Sequence, residues 1–179
     1  YNNSATTHKD LQRISTRYVF GDELWQWPKG ALQESMARTK AYEWTSKKLY
    51  ASQPGLAGDD FFNLYGTTDQ REWHFRCTEC KHLQPFIWEM VRFPDSAKTE
   101  SGWDHRKVED GTTYECAKCA ARLPDTNETR IRCNAEGEFV PMTVSQKRGW
   151  VGLHVNALAS TSWGSLGVDM LKAKEASDT

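Results

Sequence analysis

The chain has 179 residues, 38% of them hydrophobic and 12% aromatic, and a formal net charge of −1. The hydrophobic share lies below the ~45–50% of ordinary globular domains, but eight tryptophans exclude a disordered composition. The sequence carries neither a global basic field that would advertise nucleic acid nor an apolar run of about 18 residues that would cross a membrane.

The first elements are short. Arg17-Tyr18-Val19-Phe20 reads as a buried strand of β-branched and aromatic residues, running into Gly21-Asp22-Glu23. Ala31 to Trp44 has helical composition, with Pro28 and Gly30 as start signals. Lys47-Lys48-Leu49-Tyr50-Ala51 reads as a second strand, broken at once by Ser52-Gln53-Pro54-Gly55. Residues 57–66 fit a helix ending at Gly66. This strand–helix–strand–helix order is the rhythm of a parallel α/β sheet.

From Gln70 the texture changes. Trp73-His74-Phe75 leads into Cys77, and Leu83 to Trp88 leaves Cys80, as the two arms of a ribbon hairpin. Residues 94–111 read as a charged loop inserted between two cysteine turns, and residues 120–149 as irregular, with Phe139-Val140-Pro141 as a strand. Trp150 to Leu158 alternates like a strand, and Trp163 to Ala176 has helical character.

Cys77-Thr78-Glu79-Cys80 and Cys116-Ala117-Lys118-Cys119 each have C-x2-C spacing, with 35 residues between the pairs. Two residues between cysteines let both thiolates turn onto one ion. Two such turns facing each other supply the four sulfurs of structural Zn²⁺. Two disulfides, an iron site of rubredoxin type and four unbound thiols are the competing readings. Neighbouring disulfides in this spacing are usually redox-active, and nothing here has the character of a thioredoxin-type motif. His74 and His82 flank the first pair, but four sulfurs already complete a shell. Cys133 is left over and reads as a small buried hydrophobe.

Tyr18-Val19-Phe20-Gly21-Asp22-Glu23 has the form of a Walker B motif: apolar strand residues followed by two acids. A strand in a parallel sheet carries such acids to its carboxyl edge, where nucleotide phosphates sit. There Asp22 would hold Mg²⁺ and Glu23 would orient and deprotonate the attacking water. Taken alone the string is common, its acids simply leaving a strand into solvent. No G-x-x-x-x-G-K-[ST] loop occurs in the sequence.

The order of the pieces is similar to that of the large terminase subunits of tailed phages, of the lambda GpA type. The resemblance is carried by Tyr18 to Leu24, Trp27-Pro28, Arg38-Thr39-Lys40, Lys48 to Pro54, Asp69 to Cys80, Leu83-Gln84 and Trp88. It continues in Tyr114 to Cys119, Gly137 to Pro141 and Gly152 to Leu158, and covers nearly the whole chain. It implies an ATP-driven DNA-packaging motor with an N-terminal ATPase and a C-terminal metal-dependent endonuclease. The chain, which opens on Tyr1, then reads as a piece of a longer polypeptide. Its phosphate-binding loop would precede Tyr1 and its nuclease acids would follow Thr179, leaving this piece inactive alone.

On this resemblance the fold class is α/β: a partial RecA-like parallel-sheet ATPase segment over 1–69, a zinc-ribbon β-segment over 70–149, and a strand and helix over 150–179. Asp22 resembles the Mg²⁺-binding acid and Glu23 the catalytic glutamate. Ser52-Gln53-Pro54 resembles the coupling motif, usually Ser-Thr-Pro, although Gln53 departs from it, as Gly21 and Trp25 depart around the acids. The implied cofactors are structural Zn²⁺ on Cys77, Cys80, Cys116 and Cys119, and ATP with Mg²⁺ in the full-length protein. The implied partners are double-stranded viral DNA, a terminase small subunit, a portal protein and further copies of the chain, in the host cytoplasm and without a membrane.

Arg38 admits two readings, an arginine finger or a solvated helix arginine, and exposed arginines are the rule. Lys118, Arg122, Arg130, Arg132, Lys147 and Arg148 form a basic set that could meet DNA phosphates. Trp73, Trp88 and Trp103 would stack on bases or serve as core. The rival function class is a stand-alone zinc-ribbon module that binds DNA or protein without catalysis.

Overall fold

Parallel strands cannot be joined by a tight turn and need a crossover. The first part of the chain is built that way. In the computed structural model, which describes residues 14–53 and 55–177, strand β1 (Tyr18–Gly21) pairs in parallel with β2 (Lys47–Tyr50), from Tyr18↔Lys47 to Gly21↔Tyr50. Helix α1 (Ala31–Ala37) lies in the crossover, and α2 (Asp60–Gly66) follows β2. The whole is mixed α/β, with several small sheets, and divides into two compact units. The first takes residues up to Thr68 with Ser145–Trp150; the second takes Asp69–Val144 and the residues from Val151 onward.

The first unit packs Leu24, Leu32 and Leu64 together with Trp27, Tyr50 and Trp150. The Tyr50 ring stacks on Trp150 at 6.3 Å, and its hydroxyl lies 2.8 Å from Ser35 Oγ. A Cβ at Gly21 would fall 2.7 Å from the Tyr50 ring, which explains the absent aliphatic residue before the acids. Three expectations need correction. First, β1 is not a buried strand: Phe20 is 80% exposed and Tyr18 57%. Strand side chains alternate: the Val19/Gly21 side turns toward the unit's core, and the Tyr18/Phe20 side is left exposed among the described residues. Second, the helix expected to reach Trp44 ends at Ala37. The Arg38 and Thr39 amides donate to Ser35 and Met36, and a 3₁₀ turn over Lys40–Tyr42 follows. Third, α2 begins later than expected, where Asp59 caps it by accepting the Phe62 N–H at 2.6 Å.

The second unit is organised by β3 (Arg71–Arg76), which pairs antiparallel with β4 (Leu83–Pro85) across the first cysteine turn. Two short strands, β5 (Val91–Arg92) and β6 (Lys98–Thr99), come next. The second pairs with β7 (Gly102–Trp103). Helix α3 (His105–Gly111) leads to β8 (Thr113–Glu115), which joins β5 on one side and β9 (Arg122–Pro124) on the other, across the second cysteine turn. After α4 (Asn127–Ala135), β10 (Glu138–Val140) runs antiparallel to β3 and β11 (Leu153–His154) parallel to it. Helix α5 (Trp163–Ser177) closes the unit, as expected.

Residues 94–111 are not a bare loop. Ala97 and Val108 are fully buried against Val168 and Leu171 of α5, and Asp104 caps α3 through the Lys107 N–H. One apolar residue suffices there because α5 supplies the opposing surface. Its glycines admit close approach: a Cβ on Gly164 would meet the Glu109 carbonyl at 2.4 Å. Helix α4 was also missed, since Cys133 is its one buried residue. The alternation of Val151, Leu153 and Val155 yields only the two-residue β11, and all three side chains are more than half exposed.

The main core stacks Phe75 on Phe86 at 4.0 Å, sets Tyr114 edge-on to both, and seats the fully buried Trp163 against Tyr114 and Phe86. The Trp163 indole N–H donates to the Leu158 carbonyl at 2.8 Å. Trp163→Ala therefore removes a large ring and orphans a buried carbonyl. A loss of about 3–5 kcal/mol is expected, read as a lowered denaturant midpoint of the metal-loaded chain.

Candidate metal centre and acidic strand end

Both cysteine turns use one backbone mould. In the first, the Cys77 carbonyl accepts the Lys81 N–H at 3.0 Å, and Cys77 N–H donates to the His82 carbonyl at 3.0 Å. In the second, the Cys116 carbonyl accepts from Ala120 and Cys116 N–H donates to Ala121, each at 2.9 Å. The residue after each second cysteine, Lys81 and Ala120, has a left-handed φ of 60° and 56°. Antiparallel pairs β3–β4 and β8–β9 hold the two turns.

The sulfurs meet. Cys77 Sγ lies 3.9 Å from Cys119 Sγ, Cys80 Sγ lies 3.7 Å from Cys116 Sγ, and all four fall within 4.8 Å of one another. A disulfide needs about 2.05 Å, so these are free thiols. A tetrahedron with metal–sulfur bonds of about 2.3 Å has edges of about 3.8 Å, which the two cross-pair separations of 3.9 and 3.7 Å match. The four cysteines can hold a metal ion, and they are the one such group among the described residues; neither His74 nor His82 joins it.

Burial pushes the Cys77 thiol up to about 12, with the neighbouring sulfurs of Cys116 and Cys80 adding to the rise. Cys116 is also desolvated, but N–H donors from Cys119, Lys118 and Gln84 overcome this and bring it down to about 6. A dication must displace the proton that burial holds on Cys77. Metal uptake thus releases protons, and apparent affinity is expected to fall as pH falls, measured by chelator competition across neutral pH.

Asp22, Glu23, Ser52 and Gln53 all follow the carboxyl ends of β1 and β2. Ser52 Oγ accepts the Trp25 N–H at 3.0 Å, and Ala51 N–H donates to the Gly21 carbonyl at 2.8 Å, so the segment after β2 is tied to the acid-bearing turn. Asp22 is exposed and accepts the Glu23 N–H at 2.9 Å. Glu23 sits at φ 51° with its carboxylate on the Trp25 indole N–H. Gln53 is exposed, and Pro54 lies outside the described residues. The chemistry available is that of two carboxylates and a hydroxyl at one sheet edge.

The model of the family described as phage terminase large subunit gpA, ATPase domain, matches residues 1–138. The chain belongs to this family. No curated protein and no solved structure matches the chain. For a gpA-type terminase, membership implies an ATPase in the full-length protein, with ATP and Mg²⁺, and a place in phage DNA packaging with DNA and packaging-complex partners.

Other residues singled out in the sequence have internal work. Arg38 pairs with Glu34 on its own helix at 2.6 Å. Arg130 is held by the buried carboxylate of Asp125, whose other oxygen accepts Ser162 Oγ at 2.7 Å and the Gly164 N–H at 2.8 Å at the start of α5. Arg122 lies 3.8 Å from Glu115, and Lys147 sits over the Trp150 ring at 5.7 Å. Trp73 donates to Asn134 and packs edge-on to Phe139; Trp88 and Trp103 both pack on Phe93. Cys133 is buried, as expected of a small hydrophobe. Among the described residues no helix is long and apolar enough to cross a membrane. The residue that sequence reasoning undervalued is Gln84, a 3% exposed amide between the two cysteine turns. Its signal was a polar residue at an inward-facing strand position.

Proposed function

We propose that this chain is the later part of a RecA-like ATPase and the zinc ribbon after it, in a motor that couples ATP hydrolysis to movement of double-stranded viral DNA. The observation that carries the reading is the edge of the parallel pair. Two acids leave β1, a serine leaves β2, and Ser52 Oγ is bonded to the Trp25 amide at 3.0 Å. That is the side of an α/β sheet where phosphates bind. Asp22 would hold Mg²⁺, which supplies charge neutralisation at the phosphates. Glu23 would orient and deprotonate the attacking water. Ser52 and Gln53 would relay phosphate occupancy to the DNA-gripping part, with an amide in place of the usual hydroxyl.

The cysteine quartet is assigned to structural Zn²⁺ over iron, since four cysteines in a closed shell are its common setting. The segment boundaries at 69 and 149, assembly with the small subunit, portal and further copies, and nuclease chemistry in the longer polypeptide belong to the same proposal. The test is DNA-stimulated ATP hydrolysis by the full-length polypeptide, with about one zinc per chain by elemental analysis. A folded full-length protein that neither binds nor hydrolyses ATP would overturn the motor reading. A folded, metal-free protein with oxidised thiols would overturn the zinc assignment.

A further inference from the structure

We infer that Gln84 is a positioning residue of the metal centre: its amide ties the arm of the first cysteine turn to the second turn and sets the donor strength of Cys116. The inference rests on the four-cysteine reading above. Gln84 lies on β4, opposite Phe75, and is 3% exposed. Its Oε1 accepts the Ala117 N–H at 2.9 Å, and its Nε2 lies 3.2 Å from Cys116 Sγ. The orientation of the amide is not arbitrary. Ala117 N–H can only donate, so it must face the oxygen, and the NH₂ must then face the sulfur. The contact with sulfur is therefore an N–H···S bond, which a thiolate accepts and which lowers its donor strength.

Cys116 Sγ accepts one backbone N–H from its own turn, that of Lys118 at 3.4 Å. Gln84 adds to Cys116 a donor from the opposite arm. One amide thus fixes both the backbone of the second turn and the sulfur that the turn presents. Outer partners of this kind are worth roughly 10–100-fold in metal affinity.

Two variants test the role in the 179-residue chain loaded with Co²⁺ and then Zn²⁺. Gln84→Met keeps length and fills the space without hydrogen bonds. Losing the tie between the arms and the N–H that offsets the thiolate's charge is expected to weaken metal binding by about 10–100-fold, while the sulfur, now the stronger electron donor, moves the sulfur-to-cobalt charge-transfer band to lower energy. Gln84→Glu keeps an acceptor for Ala117 N–H, and with it the fold of the turn, but turns a carboxylate oxygen onto the thiolate. Its loss of affinity is expected to exceed that of Gln84→Met. A merely structural role would lower the stability of the loaded form and leave the band in place, and that result overturns the inference. Affinity within about twofold of the parent in both variants overturns it as well. A parent chain that takes up no metal sinks the four-cysteine reading itself, a result distinguishable from either variant's behaviour.

Discussion

Replacing Glu23 by Gln in the full-length polypeptide is expected to cut ATP turnover by about 10²–10⁴-fold, the range of a positioned general base, while nucleotide binding survives. The exchange is nearly isosteric. An amide oxygen can still accept the Trp25 indole N–H that holds the carboxylate, so the left-handed turn at Glu23 keeps its anchor. What is lost is the ability to take a proton from water. A steady-state assay with and without DNA, beside binding of a fluorescent nucleotide, separates the two effects. Turnover equal to that of the parent would remove Glu23 from its assigned role. Loss of binding together with turnover would point instead to a collapsed strand end. Asp22→Asn is the companion measurement: its expected signature is a raised Mg²⁺ requirement.

Stripping the metal, or removing Cys116 by Ser substitution, is expected to unfold the second unit. Structural zinc contributes on the order of 10–16 kcal/mol in small zinc domains near neutral pH, whereas a whole domain is stable by only about 5–15 kcal/mol. The effect should not stay at the metal. Cys77 and Cys116 sit in the same buried cluster as Phe75, Tyr114 and Trp163, and their strands are the backbone of two sheets. Near-ultraviolet circular dichroism with zinc content before and after chelation measures it. A chelated chain that keeps its aromatic signal and its melting temperature would show that the core carries the unit alone.

Elements whose chemistry is local were legible in the sequence. The cysteine turns could be placed because C-x2-C spacing dictates a tight turn whatever surrounds it. Helix α5 announced itself by length, and the acids after β1 by the residues beside them. Elements that depend on a partner surface were not legible. Val108 looks like a lone apolar residue in a charged run until α5 lies over it, and α4 buries little besides Cys133. The alternating run around Leu153 carries the period of a strand, yet gives only two paired residues with outward-facing side chains. Periodicity reports which residues share a face and is silent on whether that face finds cover. The roles of Gln84 and Asp125 were hidden for the same reason. A buried polar side chain is interpretable only once its hydrogen-bond partners, distant in sequence, are in place.

The aromatic flank of β1 has a practical corollary. Tyr18, Phe20 and, one strand over, Leu49 present a greasy, ribbon-like strip on a sheet that counts two strands among the described residues. Such a strip is adhesive in water. Handled by itself at high concentration, the polypeptide would tend to clump through that strip, and mild detergent or dilution would be the first remedy at the bench.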